Sequence, residues 1–184
     1  MKAFENDTLL WAEITRLVRE FKVESIIETG TEYGGTAIAL SQMVSQVVTC
    51  DVEEKFTVEL PQNVRFMEGD SRELMPQMIS LCRSPILFYL DAHSPNGDDE
   101  CPLREELAQI AAQSLDVPPV LVIHDCLVPE HPELGYATYR GIPISYDAIH
   151  TQLGLIYHGC SYSCHYNSDA LGAKCGVLFV TPKP

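Results

Sequence analysis

Positive charge is scarce in this sequence. Twelve Lys and Arg stand against 26 Asp and Glu among 184 residues, a formal net charge of −14 with His neutral. So acidic a chain repels nucleic-acid phosphates and anionic membrane surfaces, so neither is expected as its main partner. A neutral or cationic small molecule, or a metal ion, is compatible with it. Long apolar runs are also missing: nothing approaches the ~18 consecutive apolar residues of a membrane span. The opening segment MKAFENDTLLWAEITRLVREF carries charges throughout and has no basic stretch followed by an apolar one. It reads as an amphipathic helix, not a secretory leader. No internal repeat or low-complexity tract is visible. The seven Cys are odd in number and several lie inside apolar runs. That pattern favours reduced thiols in a cytoplasmic protein over a disulfide framework. His158, Cys160, Cys164 and His165 lie close in sequence, but no second CxxC pair completes a zinc pattern. The plain reading is a late loop rich in Cys and His.

What is present is an ordered alternation. With 46% hydrophobic and 21% charged residues, the chain has the composition of a globular domain. Its length suits a single domain over 1–184, with an N-terminal helix in 1–21 and an irregular insertion at 126–147. The helix, about residues 7–21, is followed by the β-rich run VESIIE, the loop TGTEYGG and a helical segment TAIALSQMVS. QVVTCD and NVRFMEGD are a second and third strand. SRELMPQMISLC is a helix with Ser71 as an N-cap type, and Pro76 warns that it is short or kinked. PILFYLDAH is a fourth strand, PLREELAQIAAQ a helix with Pro at its first turn, and PPVLVIHDC a fifth strand. A short helix near SYDAIHTQL follows the insertion. The β-like runs GLIYHG and KCGVLFVTP then pair as an antiparallel hairpin, with 161–174 as the loop between them.

Strands that alternate with helices and read as continuous apolar runs form a parallel sheet covered on both faces. The strands end at Glu28, Asp51, Asp70, Asp91 and Asp125. One such Asp is a common turn residue. Five acids in succession, with no Lys or Arg among them, converge on the crevice outside the strand ends where open α/β sheets bind ligands. The Pro-, Gly- and Tyr-rich insertion has the length of an active-site loop or lid, and its Tyr136, Tyr139 and Tyr146 are available to line an acceptor pocket. Asp98, Asp99 and Glu100 read as a solvated loop suited to the following helix N-terminus.

The first strand–helix loop, E-T-G-T-E-Y-G-G-T, carries Gly30, Gly34 and Gly35, which permit positive φ and close backbone approach. Its spacing is G-x-x-x-G, not the G-x-G-x-x-G of a pyrophosphate site, and Glu28 and Glu32 would repel phosphate. The same acids suit an ammonium group. Asp51, 23 residues after Glu28, is placed to accept hydrogen bonds from ribose hydroxyls, and Asp70 with Ser71 to read an adenine edge. An ammonium, a ribose and an adenine without phosphate describe S-adenosylmethionine.

On these residues the sequence resembles the class I S-adenosylmethionine-dependent methyltransferases over roughly residues 20–182. Glu28, Gly30, Thr31 and Gly34 lie in a segment similar to the family's first motif. Asp51 matches its ribose-binding acid, and Gly69-Asp70-Ser71 its adenine-side motif. The resemblance implies a Rossmann-like doubly wound sheet of seven strands, mostly parallel with an antiparallel last strand. LFYLDAH followed by VLVIHDC is similar to the macrocin-type and cephalosporin-hydroxylase-like O-methyltransferases. That narrower likeness implies a divalent metal held by Asp91, which also borders the cofactor, and by the pair His124 and Asp125. His124 stands where an acid is expected, and imidazole is a poor ligand for Mg²⁺, so another divalent metal is open. The implied base is His93, near its working pH.

The expected activity is O-methylation of a small molecule, such as a sugar or glycan unit or a secondary metabolite, with metal assistance an option and a homo-oligomer left open. Two rivals share the pattern. A nicotinamide-dependent oxidoreductase would need phosphate-binding glycines that this loop does not supply. A degenerate methyltransferase fold would bind without turnover, a reading that His124 keeps open.

Overall fold

The computed structural model describes residues 3–92 and 102–183, the Glu5 side chain excepted. A short 3₁₀ turn, Ala3–Asn6, leads into α1 (Thr8–Glu20). Asp7 caps α1, its carboxylate accepting the N–H groups of Leu9 at 2.9 Å and Leu10 at 3.1 Å. Leu10, Ile14, Leu17 and Val18 recur at helical spacing and form its buried stripe. There follow β1 (Ser25–Thr29), α2 (Gly35–Leu40), β2 (Gln46–Asp51), β3 (Val64–Glu68), α3 (Ser71–Leu81), β4 (Ile86–Leu90), α4 (Pro102–Ala111) and β5 (Val120–Ile123). The insertion folds into a small hairpin, β6 (Thr138–Tyr139) and β7 (Ile142–Pro143). The chain ends with α5 (Tyr146–Ile156), β8 (Tyr162–Tyr166) and β9 (Leu178–Pro182).

The main sheet has seven strands in the order β3-β2-β1-β4-β5-β9-β8. β9, the last strand of the chain, runs antiparallel to both neighbours, and the β1–β5 pairings are parallel. This is the expected doubly wound architecture. Strand side chains alternate between two cores. Ile26, Val47, Leu87 and Val122 face α1 and α2, while Ile27, Val48, Phe88 and Leu121 face α3, α4 and α5. Burial on both faces is why these strands read as unbroken apolar runs. Chain order reverses between β1 and β4, so the ligand crevice of such a sheet lies over their carboxyl ends.

Several elements depart from the sequence reading. Segment 154–159 is no strand. Ile149, Leu153 and Tyr157 are buried at a spacing of four, a helical period, and α5 runs on to Ile156. The strand is Tyr162–Tyr166, inside the stretch read as a loop. Its pairing to β9, not its own composition, makes it a strand. Within that strand Cys164 and His165 point to opposite faces. His165 donates its Nε2–H to Glu13 Oε1 of α1 at 2.8 Å and stacks on Phe179. Among the described residues, His158, Cys160, Cys164 and His165 form no metal-ligating group. Asp70, not Ser71, caps α3, and Ser71 is its first helical residue. Pro76 does not shorten α3, which continues to Leu81 although Pro76 has no N–H to donate. α2 is shorter than its periodic segment. Among the described residues, no helix is long and apolar enough to cross a membrane.

Candidate active site

The loop after β1 is bound to both neighbouring strands. Gly30 and Thr31 donate their N–H groups to the Cys50 carbonyl of β2, at 2.9 and 3.1 Å. Glu32 donates its N–H to Asp51 Oδ2 at 2.8 Å, and Gly34 to the Thr31 carbonyl. On the other side Asp91 donates its N–H to the Thr29 carbonyl at 3.1 Å. Gly30 has φ +87°, and a Cβ there would stand 2.5 Å from the Asp91 carbonyl oxygen. Only glycine fits this crossing of β1 over the end of β4.

Glu28 is not at the strand end. β1 runs one residue further, to Thr29, and Glu28 is buried inside it. Thr49 donates to Glu28 Oε2 and contacts Thr31 Oγ1 at 2.5 Å, while Glu28 Oε1 has no hydrogen-bond partner. Burial, helped by the charges of Asp91 and Asp51 and opposed by the Thr49 hydrogen bond, pushes its carboxyl up to about 8.

Asp51 closes β2 half-exposed, its Oδ1 also near the Glu53 N–H at 3.4 Å. Asp70 is more committed. Besides capping α3 it receives Nε and Nη2 of Arg72 at 3.0 and 2.6 Å, which holds its pKa below the usual carboxylate value. Ser71 is buried beside Glu106 of α4.

Sequence reasoning missed Glu106. It is fully buried, neither carboxyl oxygen has a hydrogen bond of ordinary geometry, and burial raises its pKa to about 7, opposed by the nearby Ser71 and Thr29 hydroxyls. Its signal was available: Leu103, Glu106, Leu107 and Ile110 form one apolar helical stripe with an acid in it.

At the ends of β4 and β5 stand Asp91, His124 and Asp125. His124 Nδ1 lies 3.1 Å from Asp91 Oδ1 and 3.4 Å from Asp125 Oδ1. It is buried and is aligned for a hydrogen bond with neither. Burial disfavours its charged form, but the two carboxylates outweigh this and hold its pKa well above the usual histidine value. Asp125 has φ +54°, a left-handed conformation that Asp tolerates and that re-aims the chain as β5 ends. His93, Asp98, Asp99 and Glu100 lie outside the described residues.

A cavity of about 760 Å³ opens over this edge, its lining including Gly30, Thr31, Glu32, Tyr89, Asp91 and Phe4. Glu28, Gly34, Asp51, Asp70, Ser71, His124 and Asp125 are not in its lining. A smaller cavity of about 310 Å³ lies between α4, the β6–β7 hairpin and α5, and Tyr139 lines it. Tyr136 is exposed and Tyr146 half-buried.

The sheet order and crevice can be set beside solved structures. Over 95% of its length the chain is similar to an O-methyltransferase from Bacillus cereus in complex with S-adenosylhomocysteine, with a TM-score of 0.63, 17% identity and 81% of that chain covered. The two chains share one fold. TomG, the O-methyltransferase from Streptomyces achromogenes involved in tomaymycin synthesis, shares this methyltransferase fold in its complex with S-adenosylmethionine. Its TM-score is 0.61 at 16% identity, with 96% of this chain and 80% of TomG covered. A CmcI structure with Mg and S-adenosylmethionine matches at TM-score 0.56 and 17% identity, covering 92% of this chain and 70% of that one. No protein-family model and no curated protein matches the chain.

Proposed function

We propose that this protein is an S-adenosylmethionine-dependent methyltransferase acting on an oxygen nucleophile of a small molecule, with a divalent ion assisting. One observation carries the reading. At the sheet's switch point a glycine loop commits the N–H groups of Gly30, Thr31, Glu32 and Gly34 within the protein, beside a buried acid with an oxygen to spare. Such a loop offers little to a pyrophosphate, which weakens the oxidoreductase rival, and its acids suit a cationic ligand. Neighbours of the same fold are O-methyltransferases solved with this cofactor or its product, which supports the reading.

The residues fit the cofactor. Glu28 Oε1, buried and without a hydrogen-bond partner, would be the acceptor for an ammonium group that reaches it, with Gly30, Thr31, Gly34 and Asp91 shaping the approach. Asp51 would hold the ribose hydroxyls, and Asp70 with Ser71 the adenine side, Asp70 sharing its carboxylate with Arg72. When bound, S-adenosylmethionine supplies an electrophilic methyl group on its sulfonium. The protein's task is then to orient the acceptor and take its proton. His93 is assigned that proton, two residues beyond Asp91. A divalent ion at the ends of β4 and β5 would be held by His124 and Asp125, with Asp91 facing them, and would lower the acceptor's pKa. A CmcI structure of the same fold that holds Mg beside S-adenosylmethionine supports the use of a divalent ion, not its position.

Equilibrium binding of S-adenosylmethionine, competed with S-adenosylhomocysteine and with NAD⁺, tests the assignment. Competition by S-adenosylhomocysteine alone is expected, and competition by NAD⁺ alone would transfer the reading to the oxidoreductase. His124 in place of an acid favours a second reading, a binding protein without turnover. Tight cofactor binding with no methyl transfer to any hydroxylated acceptor, with or without metal, would select it.

A further inference from the structure

The strand-end histidine has a third neighbour that sequence order conceals. Ligand atoms of His124, Asp125 and Cys175 all lie within 4.8 Å of one another. Cys175 comes from the β8–β9 connection, 50 residues after Asp125, and its backbone is fixed there. Gly135 donates its N–H to the Lys174 carbonyl at 2.7 Å, and Gly176 donates to the Gly135 carbonyl at 2.8 Å. Cys126 donates to the Gly176 carbonyl at 2.8 Å, and Asn167 Nδ2 to the Cys175 carbonyl at 2.9 Å. A Cβ on Gly176 would stand 2.1 Å from the Cys126 carbonyl oxygen, so this approach to the end of β5 requires glycine. Cys126 itself is buried in the apolar core, and Cys175 is the half-buried thiol beside His124 and Asp125.

A second observation points to a ligand. His124 is more than nine-tenths buried, and its Nδ1 has no hydrogen bond although two carboxylates surround it. Ligand atoms on one tetrahedral ion stand roughly 3.3–3.8 Å apart, from metal–ligand bonds of about 2.0–2.3 Å. Small side-chain rotations close the difference. We propose that His124, Asp125 and Cys175 form a site for a transition ion of the Zn²⁺ or Co²⁺ class, not for Mg²⁺. One nitrogen, one carboxylate and one thiolate are a borderline-soft donor set, whereas Mg²⁺ takes oxygen in octahedral array. Three protein ligands leave a position open, as catalytic zinc sites do. Asp91, on the β4 side of the imidazole, balances its charge. The proposal rests on the methyltransferase reading only for where the ion would act; binding itself is measured without cofactor.

The full chain, stripped with a chelator, is titrated with Co²⁺. One equivalent is expected to bring a thiolate-to-cobalt charge-transfer band that Zn²⁺ abolishes and about a thousandfold excess of Mg²⁺ leaves unchanged. Cys175→Ser loses the band and weakens Zn²⁺ binding by at least about tenfold. Asp125→Asn weakens Zn²⁺ binding but keeps the band, which guards against a Cys175→Ser variant that fails to fold. A band that survives in Cys175→Ser, or Zn²⁺ affinity unchanged in both variants, overturns the site. Titration of the same protein with S-adenosylhomocysteine separates the two claims. Zn²⁺ binding without it leaves the metal site and removes the methyltransferase; the converse removes only the metal site.

Discussion

Glu28 and Thr49 are direct partners across the β1–β2 pair, and their side chains meet in the core. A carboxyl there is held neutral near pH 7, and the consequence for stability has a definite sign. Its folded pKa, about 8, lies above the unfolded value, so its contribution is fully present below about pH 4.5 and lost as pH rises through 8. Glu28→Gln removes this dependence. Its unfolding free energy should gain on the wild type steadily from pH 5 to pH 8.5, with an upper bound of about 4–5 kcal/mol. Denaturant melts across that range check it, and a difference that stays constant with pH would refute a buried, neutral Glu28. The acids at positions 28, 51, 91 and 125 were legible because each ends or nearly ends an apolar run. Glu106 was not, because a Glu in a helix ordinarily faces water and only its place in the 103–110 stripe betrays it. Cys175 carried no local signal: what brings it to His124 is the fold of 174–177 onto the end of β5.

Among elements, the β1–α2 loop bears the heaviest demand. It touches the ends of β2 and β4 at once, and Gly30, at φ +87°, has no room for a Cβ. Gly30→Ala is expected to cost about 2 kcal/mol or more and to weaken S-adenosylhomocysteine binding at least tenfold. A Gly30→Ala protein with wild-type melting and wild-type affinity would show that the crossing is not needed. The five parallel strands, β3 at the sheet edge among them, and their helices were readable because apolar runs and helical periodicity are local properties. β8 was not, since its half-buried residues take strand form only against β9, with Ser163 Oγ 3.0 Å from Thr181 Oγ1. The end of α5 was misread because Gly154-Leu155-Ile156 looks β-like alone, although Ile149, Leu153 and Tyr157 keep the helical beat around it.

At the scale of the molecule, sheet order and charge act together. The reversal between β1 and β4 gathers carboxylates from distant parts of the chain at one edge, and the net charge of −14 surrounds them with a field that favours cations. Salt should therefore weaken binding of the cationic S-adenosylmethionine sulfonium more than that of neutral-sulfur S-adenosylhomocysteine, a comparison open to titration at low and high ionic strength. The central claim is that this edge holds S-adenosylmethionine through Asp51 and the glycine loop. Calorimetric titration with S-adenosylhomocysteine, on the wild type beside Asp51→Ala and Asp51→Asn, tests it most directly. Asn keeps an acceptor for the Glu32 N–H while removing the charge, so loop anchoring and ligand contact are separated. The account predicts a dissociation constant on the order of micromolar, weakened at least about tenfold (~1.4 kcal/mol) by Asp51→Ala and less by Asp51→Asn. No binding by the folded wild type, with or without a divalent metal, would contradict it.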